Sequence, residues 1–485
     1  MRTNRRDQPT DLAELAHRAM RERGLLPELP PAVEHEVAGL KPAVMAEDIL
    51  DLRAKPWCSI DNDDSRDLDQ LTYSERLPGL IRVNVAVADV DCLVPAGSAS
   101  DRHAAHNTTS VYTPARIFPM LAERLSTDLT SLNQDQDRLA MVARFDVNPR
   151  GDVVASDLFR ARVHNRAKLT YHAVGAWLEG TGQIPAKVTA DPDLPGQLQD
   201  QDEAAQALRT QRQERGALVL ESIESRTVMQ GGKPVDLRRE AKNRAKELIE
   251  DLMIAANGVA ARFLAKHGFA AIRRVVRVPE RWDRIVELAA RHGGRLPAAP
   301  DPKALEAFLV ARRAADPLRF PDLSLAVVKL MGKGEYILER PGDQIGHFGL
   351  AVRDYTHSTA PNRRYPDLLT QRLLKAALAG RPSPYDDAAL AELASHCSDQ
   401  ENAADKVERK VRKSAAALVL IDRVGERFDA LVTGAANKGT WVRVLTPPVE
   451  GKIMRGAHGL DVGDLVRVEL LSVDVEAGFI DFGVV

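Results

Sequence analysis

Apolar and polar positions alternate over residues 80–89, LIRVNVAVAD, and predict a buried strand. The same signal over 141–147 and 153–159 flanks Asn148-Pro149-Arg150-Gly151, which predicts a hairpin. Nearer the start of the chain the period is helical. Leu12, Leu15, Ala16 and Met20 recur at helical spacing behind Asp11, a capping residue. Gly24, then Pro27, Pro30 and Pro31, end that run, and a second short helix is predicted over 32–40. Residues 167–171 open a helix, 179–203 read as a loop rich in Gly, Pro and Asp, and 236–266 read as one long helix. The core face of that long helix carries Leu248, Leu252, Ala255 and Ala256. A strongly charged helical stretch covers 384–425. After it come five short β segments, 428–434, 439–445, 449–453, 464–470 and 478–482, punctuated by glycine, which suggest an OB barrel.

The predicted fold class is α+β and multidomain. A small helical module, helix-turn-helix-like, takes residues 1–50, a large mixed domain takes 51–424, and a five-stranded OB barrel takes 425–485. A length of 485 residues agrees, since a chain this long forms two to four cores. The 28% charged and 44% hydrophobic composition is that of a soluble globular protein. Net charge is −2, so a nucleic-acid partner must be met by local patches. Three scattered cysteines without a CxxC pair argue against a zinc ribbon or a disulfide scaffold, and fit a reducing, cytoplasmic setting. The arginines near the N-terminus have no apolar core behind them, so no secretory signal is expected there. No apolar run is long enough to span a bilayer, and no membrane partner is expected.

Candidate chemistry concentrates in 59–71, SIDNDDSRDLDQL. Asp61, Asp63, Asp64, Asp67 and Asp69 crowd into this stretch, which ends in Gln70. Two readings suit it: a solvated acidic turn, or a site for a hard cation such as Mg²⁺ or Mn²⁺. Trp57, Ile60, Leu71 and Tyr73 anchor it to strands on both sides, and Asp61, Asp63, Asp67 and Asp69 share one face of an extended segment. An EF-hand loop does not fit, because Arg66 and Thr72 stand where Gly and Glu are required.

The stretch resembles the signature of the ribonuclease II family, Ile-Asp, five variable residues, then Asp-hydrophobic-Asp-Asp. Here it reads Ile60-Asp61, 62–66, then Asp67-Leu68-Asp69-Gln70, so Gln70 stands at the fourth acidic position. Residues 111–120, VYTPARIFPM, and the stretch that follows match the family nearly throughout. So does 345–367, where Pro361, Arg363, Arg364 and Tyr365 stand in the motif, with Ala360 for Ser and Asn362 for Ile. The matching blocks cover most of 52–485, and the opening module lies outside them.

The resemblance implies processive 3′ to 5′ hydrolysis of single-stranded RNA to nucleoside 5′-monophosphates. It implies that Asp61, Asp67, Asp69 and Gln70 hold Mg²⁺, with Mn²⁺ as a substitute, and that Arg363 supports the scissile phosphate. Tyr112 is implied to stack on the last bases, Tyr171 to line the RNA path, and Glu250 to contact the final nucleotide. From the residues alone both tyrosines also read as core packing. Arg364, Phe428 and Trp441 are further RNA-binding candidates, the last two as a stacking face of the barrel, although Phe428 also suits the core. Arg273, Arg274 and Arg277 suit either phosphates or a plain surface, as does the basic run 406–413. Two departures bear on activity. Leu220 stands where some members place a stacking phenylalanine, and Gln70 removes a charge from the metal site. Asp63 or Asp64 is a candidate to compensate for that charge. The alternative is an RNA-binding or scaffold protein with a degenerate nuclease site. A monomer is expected.

Overall fold

The structure is a computed structural model and describes residues 11–43, 49–221, 224–240, 242–343, 345–436 and 439–485. The arginines read at positions 2, 5 and 6 lie outside the described residues.

In chain order the elements begin with α1 (Leu12–Glu22) and α2 (Pro31–Gly39), then β1 (Leu50–Asp51), β2 (Cys58–Asp61), β3 (Gln70–Leu77) and β4 (Leu80–Ala88). Next come α3 (Ala99–Asn107), β5 (Val111–Tyr112), β6 (Ile117–Phe118), β7 (Asp137–Val147), β8 (Val153–His164) and β9 (Ala167–Thr170). They are followed by α4 (Tyr171–Leu178), α5 (Ala186–Thr189), α6 (Leu194–Glu214), β10 (Glu224–Gln230), β11 (Lys233–Glu240) and α7 (Arg244–Lys266). Then come β12 (Ala271–Val275), α8 (Trp282–Arg291), α9 (Pro302–Ala315), α10 (Phe320–Met331), β13 (Glu335–Glu339), α11 (Tyr365–Leu378) and α12 (Asp387–Leu420). The chain closes with β14 (Arg427–Ala436), β15 (Gly439–Val444), β16 (Val449–Arg455), β17 (Leu465–Asp474) and β18 (Phe479–Val484).

A seven-stranded sheet, ordered β1-β8-β7-β4-β3-β2-β9, forms the centre of the large domain. The alternation in β4 sets its two faces. Val83, Val85 and Val87 point to one core with Leu198 and Leu208 of α6 and Leu248 and Leu252 of α7. Ala86 and Ala88 point to the other, with Leu68, Leu71, Leu368 and Leu373. Helices therefore cover both faces.

Three expected elements differ. Residues 167–170, read as the opening of a helix, form β9 because they pair in parallel with β2, and the helix starts only at Tyr171. Residues 194–203, read as loop, form the start of α6, because Leu194 and Leu198 are buried against the sheet and outweigh the Gly and Pro content. Residues 236–240, read as helix, belong to β11. The helix starts at Arg244, where the Asn243 side chain accepts the Lys246 N–H.

The strands β14-β15-β16-β18-β17 close into a barrel, as expected. Its core holds Phe428, Val432, Val442, Val468, Ile480 and Phe482. The leading helices form, as expected. The stripe Leu15, Ala16, Ala19 and Met20 of α1 packs on Val407 and Val411 of α12, whereas α2 packs towards α3. Each helix finds its apolar partner on the large domain.

Candidate active site

Asp61 ends β2, whose partner β9 places Thr170 beside it, so Tyr171 follows directly on the same side. The acidic loop then runs out of the sheet and returns at Gln70, the first residue of β3. It is held by backbone and hydroxyl contacts. The Leu68 N–H donates to Ser131 Oγ at 3.0 Å, the Leu132 N–H donates to the Leu68 carbonyl at 2.9 Å, and the Ala88 N–H donates to the Asp69 carbonyl at 2.9 Å. Buried Leu68 pins the loop from inside, between Asp67 and Asp69. Ser65 Oγ donates to the Asp61 carboxylate at 2.8 Å.

The second half of the site arrives from the segment before α11. Asp69 is 2% exposed, and its Oδ1 accepts the Asn362 N–H at 3.0 Å. Its Oδ2 lies 3.4 Å from Arg363 Nε. The Arg363 side chain is 43% exposed, so its guanidinium remains open to a ligand. The Arg363 carbonyl accepts the Ser110 N–H at 3.0 Å, which ties this segment to the strand carrying Tyr112. Tyr112 is 40% exposed and its hydroxyl donates to Asp67 Oδ2 at 3.3 Å.

Electrostatics follow from this crowding. Burial pushes the Asp69 carboxyl up to about 7; Arg363 and the Asn362 N–H pull it down, while Asp67 and Asp367 push it up. Asp67 is also raised by burial, opposed by Arg363 and reinforced by Asp61. The Tyr112 and Tyr171 hydroxyls are pushed up by burial first, then by the charges of Asp67 and Asp61 respectively. Arg363 faces both Asp67 and Asp69, so this pair carries more negative charge than its one arginine offsets. The donors, carboxylates with an amide, are those a hard divalent cation takes. Among the described residues no three His, Cys, Asp or Glu groups already stand around one point. In donor type and charge these residues fit such an ion.

Asp64 pairs with Arg226 of β10 at 2.6 Å, and Asp63 is exposed. Glu250 is exposed on α7 and pairs with Lys242 at 2.6 Å. It lies one turn beyond Lys246, whose ammonium is 6.0 Å from the Tyr171 ring centroid.

Four candidates are placed elsewhere. Arg364 points inward and pairs with buried Asp367 at 2.8 Å, because Asp367 would otherwise be an uncompensated charge in the core. Phe428 is 6% exposed and packs edge-on against Phe482, 6.4 Å between centroids, so it belongs to the barrel core. Arg273 is buried and Arg274 pairs with Glu401 at 2.5 Å, so these two do not form a phosphate-binding surface. Trp441 remains on the barrel surface at 36% exposure, with the Lys452 ammonium 5.9 Å from its ring centroid.

Asn362, Thr130 and Glu408 were not anticipated as site residues. Thr130 Oγ1 donates to Asn362 Oδ1 at 2.5 Å, and Glu408 accepts the Tyr112 N–H at 2.8 Å. The asparagine in an apolar motif position was the available signal, since a buried amide requires a polar partner.

The RNB domain model matches residues 49–380, and the model of the RNase II-type exonuclease C-terminal S1 domain matches 426–485. The chain belongs to the RNB family. Ribonuclease R of Escherichia coli (strain K12) is 30% identical over 495 residues, which cover 94% of this RNB chain and 60% of the relative. Ribonuclease R of Vibrio cholerae is 31% identical over 504 residues, with the same two shares. The chain thus spans about 60% of the length of these curated relatives. Among solved structures, Mycoplasma genitalium RNase R in complex with ribose methylated single-stranded RNA gives a TM-score of 0.89 at 22% identity. That match covers 98% of this chain and 78% of the other. Yeast Ssd1, a pseudonuclease, gives 0.74 at 15% identity, covering 92% and 56%. These two likenesses concern the RNB fold.

Proposed function

We propose that this chain is a 3′ to 5′ exoribonuclease that hydrolyses single-stranded RNA processively and releases nucleoside 5′-monophosphates. The observation that carries this reading is the open Arg363 guanidinium, 3.4 Å from buried Asp69. Asp61, Asp67, Asp69 and Gln70 would hold Mg²⁺, or Mn²⁺ in its place, which when bound supplies an activated water and neutralises charge on the reacting phosphate. Arg363 holds the scissile phosphate by two parallel bonds and stabilises the charge that grows on it. A water oxygen bonds to phosphorus, the bond from phosphorus to the 3′-oxygen breaks, and that oxygen leaves as a hydroxyl. Tyr112 stacks on the terminal bases at the rim of the site, Tyr171 lines the RNA path, and Glu250 contacts the final nucleotide. Stacking accepts every base, which suits an enzyme without sequence preference. Trp441 of the barrel adds a stacking surface for the upstream strand.

Among the described residues no helix is long and apolar enough to cross a membrane. A cytoplasmic monomer is part of the proposal.

Gln70 favours a second reading, an RNA-binding protein with a degenerate nuclease site. An amide oxygen brings no charge, and Asp64 is engaged by Arg226. The pseudonuclease Ssd1 illustrates that this fold does not by itself entail cleavage.

A time course on 5′-labelled single-stranded RNA separates the two, run with Mg²⁺, with EDTA and with a 3′-phosphate-blocked RNA. A short labelled end product without intermediates, formed only with metal and a free 3′ end, supports the exonuclease. RNA that is bound but stays intact with Mg²⁺ or Mn²⁺ supports the degenerate site.

A further inference from the structure

The hairpin β5–β6 carries Tyr112, yet each of its strands has two residues and the pair makes two register contacts, Val111 with Phe118 and Tyr112 with Ile117. A ladder this short does not hold its own conformation in water, so its position must come from what packs behind it. Val111 and Phe118 are fully buried on the side of the hairpin away from solvent. They share one cluster with Leu15, Ala16, Ala19, Met20 and Leu25 of the leading segment, and with Val407 and Val411 of α12. Neighbouring strand residues point to opposite faces, so the apolar stripe of α1 backs the face opposite the Tyr112 ring.

Two more ties link the leading segment to the same region. The Asn107 amide brackets Leu26: its Oδ1 accepts the Leu26 N–H at 2.9 Å, and its Nδ2 donates to the Leu26 carbonyl at 2.9 Å. His106 meets the Gly24 carbonyl at 2.9 Å. From Asn107 the chain runs directly into Thr108, Thr109 and Ser110, which contact the backbone of 363–365.

We propose that the leading segment, α1 above all, is a positioning element that holds the Tyr112 hairpin against the RNA end. Leu15 and Met20 are positioning residues that act through Val111 and Phe118. The segment lies before residue 49, where the RNB match begins. The proposal rests on the reading of Tyr112 as a base-stacking residue.

The test is a double-mutant cycle read by the affinity of the full chain for a single-stranded RNA in EDTA, so that it does not depend on turnover. Leu15→Ala/Met20→Ala leaves a void behind Val111 and Phe118. It is expected to weaken binding about tenfold in the parent chain and less than about twofold when Tyr112→Ala is already present. Equal factors in the two backgrounds, or unchanged affinity in a folded variant, overturn the proposal. So does a Tyr112→Ala variant that binds as the parent does. If the double variant does not melt cooperatively, Met20→Ala replaces it in the cycle under the same criteria. Hydrogen exchange over 108–118 provides a second readout. It is expected to speed up in the α1 variant while exchange in the barrel stays unchanged, and no change at 108–118 counts against the proposal. Intact RNA with Mg²⁺ would count against the exonuclease reading alone.

Discussion

Asp69 Oδ2 stands 3.4 Å from Arg363 Nε, although one residue precedes β3 and the other precedes α11. The contact joins a buried acid to a half-open base. Asp69→Asn is expected to abolish cleavage while RNA binding survives. The variant is also expected to be at least as stable as the parent near neutral pH, because it relieves a buried charge. Loss of binding together with cleavage would make the acids structural.

Arg363→Ala removes the group placed to meet charge on the phosphate. Its kcat is expected to fall roughly 10²–10³-fold, with a smaller change in RNA affinity. Single-turnover cleavage and equilibrium binding separate the two quantities. A loss confined to affinity would assign Arg363 to binding.

Gln70→Asp restores the fourth acid of the motif. If the amide weakens metal binding, half-maximal activity is expected at roughly tenfold lower Mg²⁺, since ligand charge sets much of the affinity. A Mg²⁺ titration of both proteins reads this directly. An unchanged midpoint would show that Gln70 does not limit the metal site.

Two barrel aromatics should behave differently. Trp441→Ala is expected to weaken RNA binding by about 1–3 kcal/mol with little effect on melting. Phe428→Ala, which empties a core position against Phe482, is expected to destabilise the barrel by about 3–5 kcal/mol. Thermal melting alongside RNA affinity distinguishes them, and an affinity loss without a melting change for Phe428→Ala would contradict its core assignment.

Stability should depend on pH through buried histidines. Burial holds His103 and His347 down to about 4, and holds His357 well below its ordinary value. Unfolded histidines titrate at about 6.5. Between about pH 4 and about pH 6.5 the unfolded chain therefore binds more protons than the folded one. Stability is full above that window and is lost as pH falls through it. Denaturation midpoints at about pH 7.5 and about pH 5 should differ, and His347→Gln should narrow the gap. An equal gap in the variant would remove His347 from the account.

Much of this protein is written in local pattern. The alternation of 80–89, the glycine-punctuated strands of the barrel and the helical spacing behind Asp11 each fix an element, because side-chain period and backbone geometry are coupled within a few residues. The motif around Asp61, Asp67 and Asp69 marked the acidic loop by its resemblance to the ribonuclease II signature. Tertiary structure decided which way ambiguous side chains turn. Arg364 follows Arg363 in sequence but turns inward to Asp367, Phe428 closes on Phe482, and α1 finds Val111, Phe118 and α12 rather than α2. Each outcome depends on a partner far along the chain. Period reports that a face is apolar or charged, and only packing, by burying one face against another and requiring a partner for every buried charge, decides which surfaces meet.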